Sequence, residues 1–112
     1  MRKSNIELSI ALDDKNIPES IVWNASDSPT GKPENTKAMA LALWDENNQT
    51  TMKIDLWTKD MPVDEMKLFY IEAIGGMSET LLSATGDEYM YQEIKNVCEK
   101  LMLHLNDDLQ KK

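Results

Sequence analysis

The chain has 112 residues, with 12 Lys and Arg against 20 Asp and Glu, a net charge of −8 and no basic cluster. That length suits one domain with a single hydrophobic core, and that charge balance excludes the phosphate neutralisation from which nucleic-acid binding draws its affinity. Cys98 is the one cysteine, which excludes an internal disulfide and suits a reducing compartment.

The start, "MRKSNIELSI", is basic, but no apolar run of signal-peptide length follows it. No segment approaches the ~20 apolar residues of a membrane span. A cytoplasmic address without membrane insertion is therefore expected, and the sequons "NAS" and "NQT" are chance matches.

Residues 5–12 alternate apolar and polar, with Ile6, Leu8, Ile10 and Leu12 on one side. Period two with one polar face predicts a half-buried strand. A turn at "DDKN" leads to a second strand at about 19–24. A two-residue loop at Asp14-Lys15 would set Leu8 opposite Ile21 and Ile6 opposite Trp23. Pro18 lacks an N–H donor and argues that this second strand lies on an edge or begins late.

Residues 25–36 are small and polar with two prolines, and read as a mobile loop. Its "GK" lacks the upstream glycine and the following Ser or Thr of a phosphate loop.

Strands at about 37–46 and 50–58 form the clearest hairpin. A type I′ turn at Asn47-Asn48 would pair Leu43 with Met52, Leu41 with Ile54 and Met39 with Leu56. The other face then carries Ala38, Ala40, Ala42 and Trp44 against Thr51, Lys53, Asp55 and Trp57.

From Pro62 the period changes. Met66, Phe69, Tyr70, Ala73, Ile74, Met77, Leu81 and Ala84 mark one stripe of a helix at about 62–83. Proline suits its first position, and Asp64 and Glu65 its dipole. Gly75-Gly76 predict a bend or a close approach of another backbone. Thr85 and Glu88 have capping-box spacing, and Met90, Ile94, Val97, Leu101 and Leu105 mark a second helix at about 86–106. The expected fold is one α+β domain over 1–112: a four-stranded antiparallel meander followed by two helices packed on one face.

No catalytic constellation, cofactor motif or metal site emerges. Asp60, Asp64 and Glu65 crowd a helix start, where acids are stabilising without a metal. His104 has no second ligand near it and reads as a partner of the helix C-terminus. Cys98 reads as an inert buried thiol. Met39, Met52, Met66, Met77 and Met90 fall on predicted core faces, as filler or as a groove for a basic amphipathic peptide. The unusual feature is the second sheet face, where alanines and tryptophans stand in place of Thr, Lys and Glu. Either loop 25–36 covers it, or another molecule does.

"WNA" at Trp23–Ala25, "WDE" at Trp44–Glu46, "IDLWTKDMPVDEM" at Ile54–Met66 and "ATGDE" at Ala84–Glu88 together resemble the gliding-motility-associated GldC family of Bacteroidetes. The resemblance implies a small cytoplasmic accessory protein of gliding motility, a process linked to type IX secretion, with no enzymatic activity or cofactor. The strand order is similar to that of SecB-type export chaperones at the level of fold. The leading expectation is a non-enzymatic assembly module that binds a protein partner, or itself, through Ala40, Ala42, Trp44, Asp55 and Trp57, continued by Lys59, Asp60 and Met61. The alternatives are a SecB-like holdase for export clients and, more remotely, a metal-dependent enzyme.

Overall fold

The computed structural model describes residues 1–111. Its elements in chain order are β1 (Ile6–Leu12), β2 (Pro18–Ala25), β3 (Glu34–Thr36), β4 (Ala38–Asp45), β5 (Thr50–Trp57), α1 (Val63–Thr85) and α2 (Glu88–Gln110). The chain is therefore α+β. It divides into two compact units: Met1–Met61 carries all five strands, and both helices belong to the unit that starts at Pro62. Among the described residues no helix is long and apolar enough to cross a membrane.

The single meander expected from the sequence is not what forms. The strands make two antiparallel sheets, one of three strands in the order β1-β2-β3 and one of two, β4-β5. The difference lies in residues 25–36. Within this expected loop, Glu34, Asn35 and Thr36 pair with Trp23, Val22 and Ile21, and so take the edge of β2 that β4 would have used. Lys37 alone separates β3 from β4. Two backbone bonds tie the end of β5 back across this gap. Thr58 N–H donates to the Lys37 carbonyl at 2.8 Å, and Lys59 N–H to the Pro18 carbonyl at 3.0 Å.

In the larger sheet the register differs from expectation by two residues: Leu8 faces Trp23 and Ile10 faces Ile21. The connection is longer than a two-residue turn. Asp13 Oδ1 accepts the Lys15 and Ile17 N–H groups at 2.8 and 3.0 Å, Asn16 is left-handed at φ 63°, and a bulge follows Ala11. A slip of two keeps every side chain on its own face, so Ile21 still lies fully buried.

The β4–β5 hairpin has the predicted register, with Leu43 opposite Met52, Leu41 opposite Ile54 and Met39 opposite Leu56. Its turn is not a type I′ Asn-Asn pair. Asp45 and Thr50 are the last partners, Asp45 Oδ2 accepts the Asn48 N–H at 2.8 Å, and the left-handed residue is Gln49, at φ 51°.

In the helical unit Pro62 is the N-cap of α1 in an extended conformation, with Asp64 and Glu65 in the first turn. The helix runs through Gly75-Gly76 without a break and ends at left-handed Gly86, whose N–H donates to the Leu82 carbonyl at 2.8 Å. The N-cap of α2 is Asp87, whose Oδ1 accepts the Met90 N–H at 3.0 Å. The expected Thr85–Glu88 capping box is thereby replaced. Thr85 belongs to α1, where its hydroxyl donates to the Leu81 carbonyl at 2.7 Å and accepts the Asp87 N–H at 3.1 Å.

The helices meet along a seam that combines members of the apolar stripes, such as Leu105, with small side chains. Ile71, Ser78 and Leu105 are buried. The Cys98 thiol lies 3.7 Å from the Ile71 carbonyl, and a Cβ at Gly75 would lie 3.9 Å from its sulfur. Gly75 thus meets a side chain at ordinary contact distance, and neither the expected bend nor a close backbone approach marks the glycine pair. Met77, Met90 and Val97, expected in the core, are exposed, and so is Met52 on β5. His104 does not cap the helix end, since α2 continues to Gln110. It lies beside Asp108, Nε2 to Oδ2 3.5 Å.

Candidate interaction surface

The second face of the β4–β5 hairpin is built by alternation alone. Pairing sets Ala38 opposite Trp57, Ala40 opposite Asp55, Ala42 opposite Lys53 and Trp44 opposite Thr51. Ala40, Ala42, Trp44, Asp55 and Trp57 therefore share one face. The two indoles stand at its opposite ends, six residues apart along each strand, or about 20 Å. Trp44 is 67 % exposed and Trp57 43 %. At that exposure loop 25–36 leaves both indoles open, and its residues 34–36 form the edge strand β3 of the other sheet.

Between the indoles lies one ion pair. Lys53 Nζ is 2.7 Å from Asp55 Oδ2, and the Asp55 side chain is only 17 % exposed. Its other oxygen, Oδ1, is enclosed with no hydrogen-bond partner. An unmatched buried acceptor is costly, and on this carboxylate only Oδ2 is compensated, by Lys53. A groove of about 290 Å³ runs beside it, lined by Ile17, Pro18, Asp55, Leu56, Trp57 and Lys59.

The junction after β5 follows a different logic. Lys59 lies next to Trp57 in that groove, yet its ammonium turns to the β1–β2 connection and the start of β2, 3.2 Å from Asp13 Oδ2 and 3.1 Å from Glu19 Oε1. Hydrogen bonds from Lys59 to Glu19 and Asp13 raise the Lys59 pKa. Asp13 is lowered, first by the backbone N–H groups of Ile17 and Lys15 and then by Lys59. Thr58 is buried, and its hydroxyl donates to Asp60 Oδ1 at 2.6 Å, which lowers the Asp60 pKa. Asp60 lines a separate cleft with Glu19, Ser20, Thr36, Lys37 and Thr58. Met61 closes the turn, its N–H donating to the Thr58 carbonyl at 3.1 Å.

Of the eight nominated residues, five thus share the hairpin face, Lys59 borders it, and Asp60 and Met61 belong to the turn beyond it. Sequence reasoning missed Ile17, Pro18, Asp13 and Glu19. They lie some forty residues upstream, and nothing local announces their approach.

Elsewhere the chemistry is sparse. Among the described residues no three His, Cys, Asp or Glu side chains converge as metal ligands would. A groove of about 230 Å³ along the helix pair is lined by Ile71, Ile74, Leu101 and Leu105, with Lys67, Tyr70 and His104 at its sides and no methionine.

Neither the curated proteins nor the solved structures contain a match to this chain. A family model does match. It is described as "Gliding motility-associated protein GldC-like" and covers residues 18–107, from the start of β2 nearly to the end of α2. That span holds the whole hairpin face and the junction after it. The chain belongs to the GldC-like family of gliding motility-associated proteins.

Proposed function

We propose that this protein is a cytoplasmic, non-enzymatic assembly factor of gliding motility that works by binding another protein of the gliding or type IX secretion machinery. The observation that carries this reading is the pair of exposed indoles on the alanine face of the hairpin. Large aromatic side chains beside small ones give a partner flat apolar area at low cost in side-chain entropy, and aromatic anchors dominate interface energetics. The groove beside Trp57 provides a recess for a side chain of that partner. Family membership supports the process.

The test is affinity capture from gliding cells with wild-type and Trp57→Ala protein, both checked by thermal melting. A defined machinery component retained by the first and lost by the second, with equal melting temperatures, is the expected result. A Trp57→Ala protein that fails to fold assigns Trp57 to the core and removes the surface.

A holdase role is the second reading. Leu43, Met52 and Ile54 on the opposite hairpin face are also exposed, and broad apolar exposure suits unfolded clients. It predicts suppressed aggregation of an unrelated unfolded protein at modest molar excess, and inertness in that assay eliminates it.

A further inference from the structure

The strand β4 is paired on one side only. Its neighbour is β5, and their sheet holds no third strand. In an antiparallel pair, alternate residues turn their N–H and C=O groups away from the partner. From Met39 to Trp44 none of those outward groups is taken up by a backbone bond to another segment among the described residues. Proteins ordinarily blunt such an edge with lysine, proline or a bulge. The run "AMALALW" has none of these: it carries no charge and no proline, and its pairing with β5 is continuous. A two-stranded sheet is also marginal by itself, and this one exposes large apolar side chains on both faces, Leu43, Met52 and Ile54 on one and Trp44 and Trp57 on the other.

An open strand edge is satisfied by another strand, and the sequence of this one matches itself. We propose that a second copy of the chain pairs along β4, antiparallel and two-fold about Leu41, so that two hairpins become one four-stranded sheet. In that register Lys37 stands opposite Asp45 of the second copy at both ends, giving two pairs of opposite charge. Met39 meets Leu43 on one face. On the other Ala40 meets Ala42, and the Trp44 indole lies over Ala38, where only a small residue leaves room for it. Sliding by two residues sets Met39 against Asp45 and loses both charge pairs. Sliding by one brings the alanine face against the leucine face. The two-fold pairing is isologous and closes at a dimer. Two other open edges of comparable length, β1 and β5, carry charges within them, Glu7 in the first and Lys53 and Asp55 in the second, and joining β4 to β1 or β5 of another copy would be head-to-tail and would propagate.

This assembly does not depend on the partner proposed above, since a chain blind to every motility protein would still form it. The test combines sedimentation with a cross-link. Wild type should sediment as a dimer. Leu41→Cys in a Cys98→Ser background should form a covalent dimer on mild oxidation, because directly opposed residues lie within disulfide reach, whereas Cys98→Ser alone should not. The double substitution Ala40→Lys and Ala42→Lys sets like charges against each other across the two-fold, and should give a monomer with an unchanged circular dichroism spectrum. If that variant fails to fold, the cross-link decides. A wild type that stays monomeric at all concentrations overturns the proposal. So does a dimer that Leu41→Cys fails to trap, or growth past the dimer as concentration rises.

Discussion

Gly75 on α1 faces Cys98 on α2, and a methyl group at Gly75 would meet the Cys98 sulfur at 3.9 Å. That is ordinary van der Waals separation, so the site accepts one carbon without displacing its neighbour. Gly75→Ala should raise stability by about 0.5–1 kcal/mol by removing a flexible residue from a helix interior. Gly76, where a methyl group would have no neighbour within 4 Å, should gain as much from the same change. Gly75→Leu should cost roughly 1–3 kcal/mol by wedging the helices apart. Urea midpoints of the three variants measure these effects.

Asp87 is the side chain that caps α2. Asp87→Ala should lower stability by about 1 kcal/mol, and Asp87→Ser should recover most of it. Glu88→Ala should be nearly silent, whereas the capping box expected from sequence would have made it costly. Parallel thermal melts of the three proteins separate the two arrangements.

The turn of the β4–β5 hairpin places Gln49 in the left-handed region, which costs a residue with a Cβ roughly 1–2 kcal/mol. Gln49→Gly should therefore stabilise by roughly 0.5–1 kcal/mol after the entropic cost of glycine. Gln49→Val should destabilise. Chemical denaturation followed by tryptophan fluorescence reports both.

The Lys59 cluster makes a signed prediction about pH. The Asp13 pKa is lowered below 3.8, so its contribution is present above 3.8 and disappears as pH falls through the lower, folded value. The Lys59 pKa is raised above 10.5, so its contribution is present below 10.5 and disappears as pH rises through the higher, folded value. Asp13→Asn should flatten the acid limb of stability below pH 3.8, and Lys59→Met should flatten the alkaline limb above pH 10.5. The Lys59 side chain is half-exposed, so the changes should shrink in high salt. Urea titrations across the two pH ranges provide the readout.

Much of the hairpin was legible in the sequence because two constraints agree there. Period-two alternation assigns the faces, and only one pairing sets Leu43, Leu41 and Met39 against Met52, Ile54 and Leu56. In the first sheet the same alternation is satisfied by any even shift, so the faces of Leu8 and Ile21 could be read but their pairing could not. The strand Glu34–Thr36 left no pattern, since three polar residues at an edge need only backbone bonds. The helix seam was half legible, since periodicity finds Leu105. Periodicity points to large apolar residues, while close packing at Gly75, Ser78 and Cys98 is made by small ones. Of the candidate surface, the alternating set from Ala40 to Trp57 could be found from sequence. Ile17, Pro18, Asp13 and Glu19 come from a distant turn, and their place beside Trp57 and Lys59 needed coordinates.

The reversal between the two helices spends only Gly86 and Asp87, and this brevity constrains how the gene can change. With so short a joint, Gly75 is matched to Cys98 midway along the helix pair and Lys67 reaches Asp108, 3.7 Å away, near its open end. Adding a single amino acid between those stations would rotate everything after it by about 100°, carrying Cys98 and Leu105 off the seam. Lineages of this family should therefore diverge here by exchanging side chains while holding codon number constant from Ile71 to Leu105.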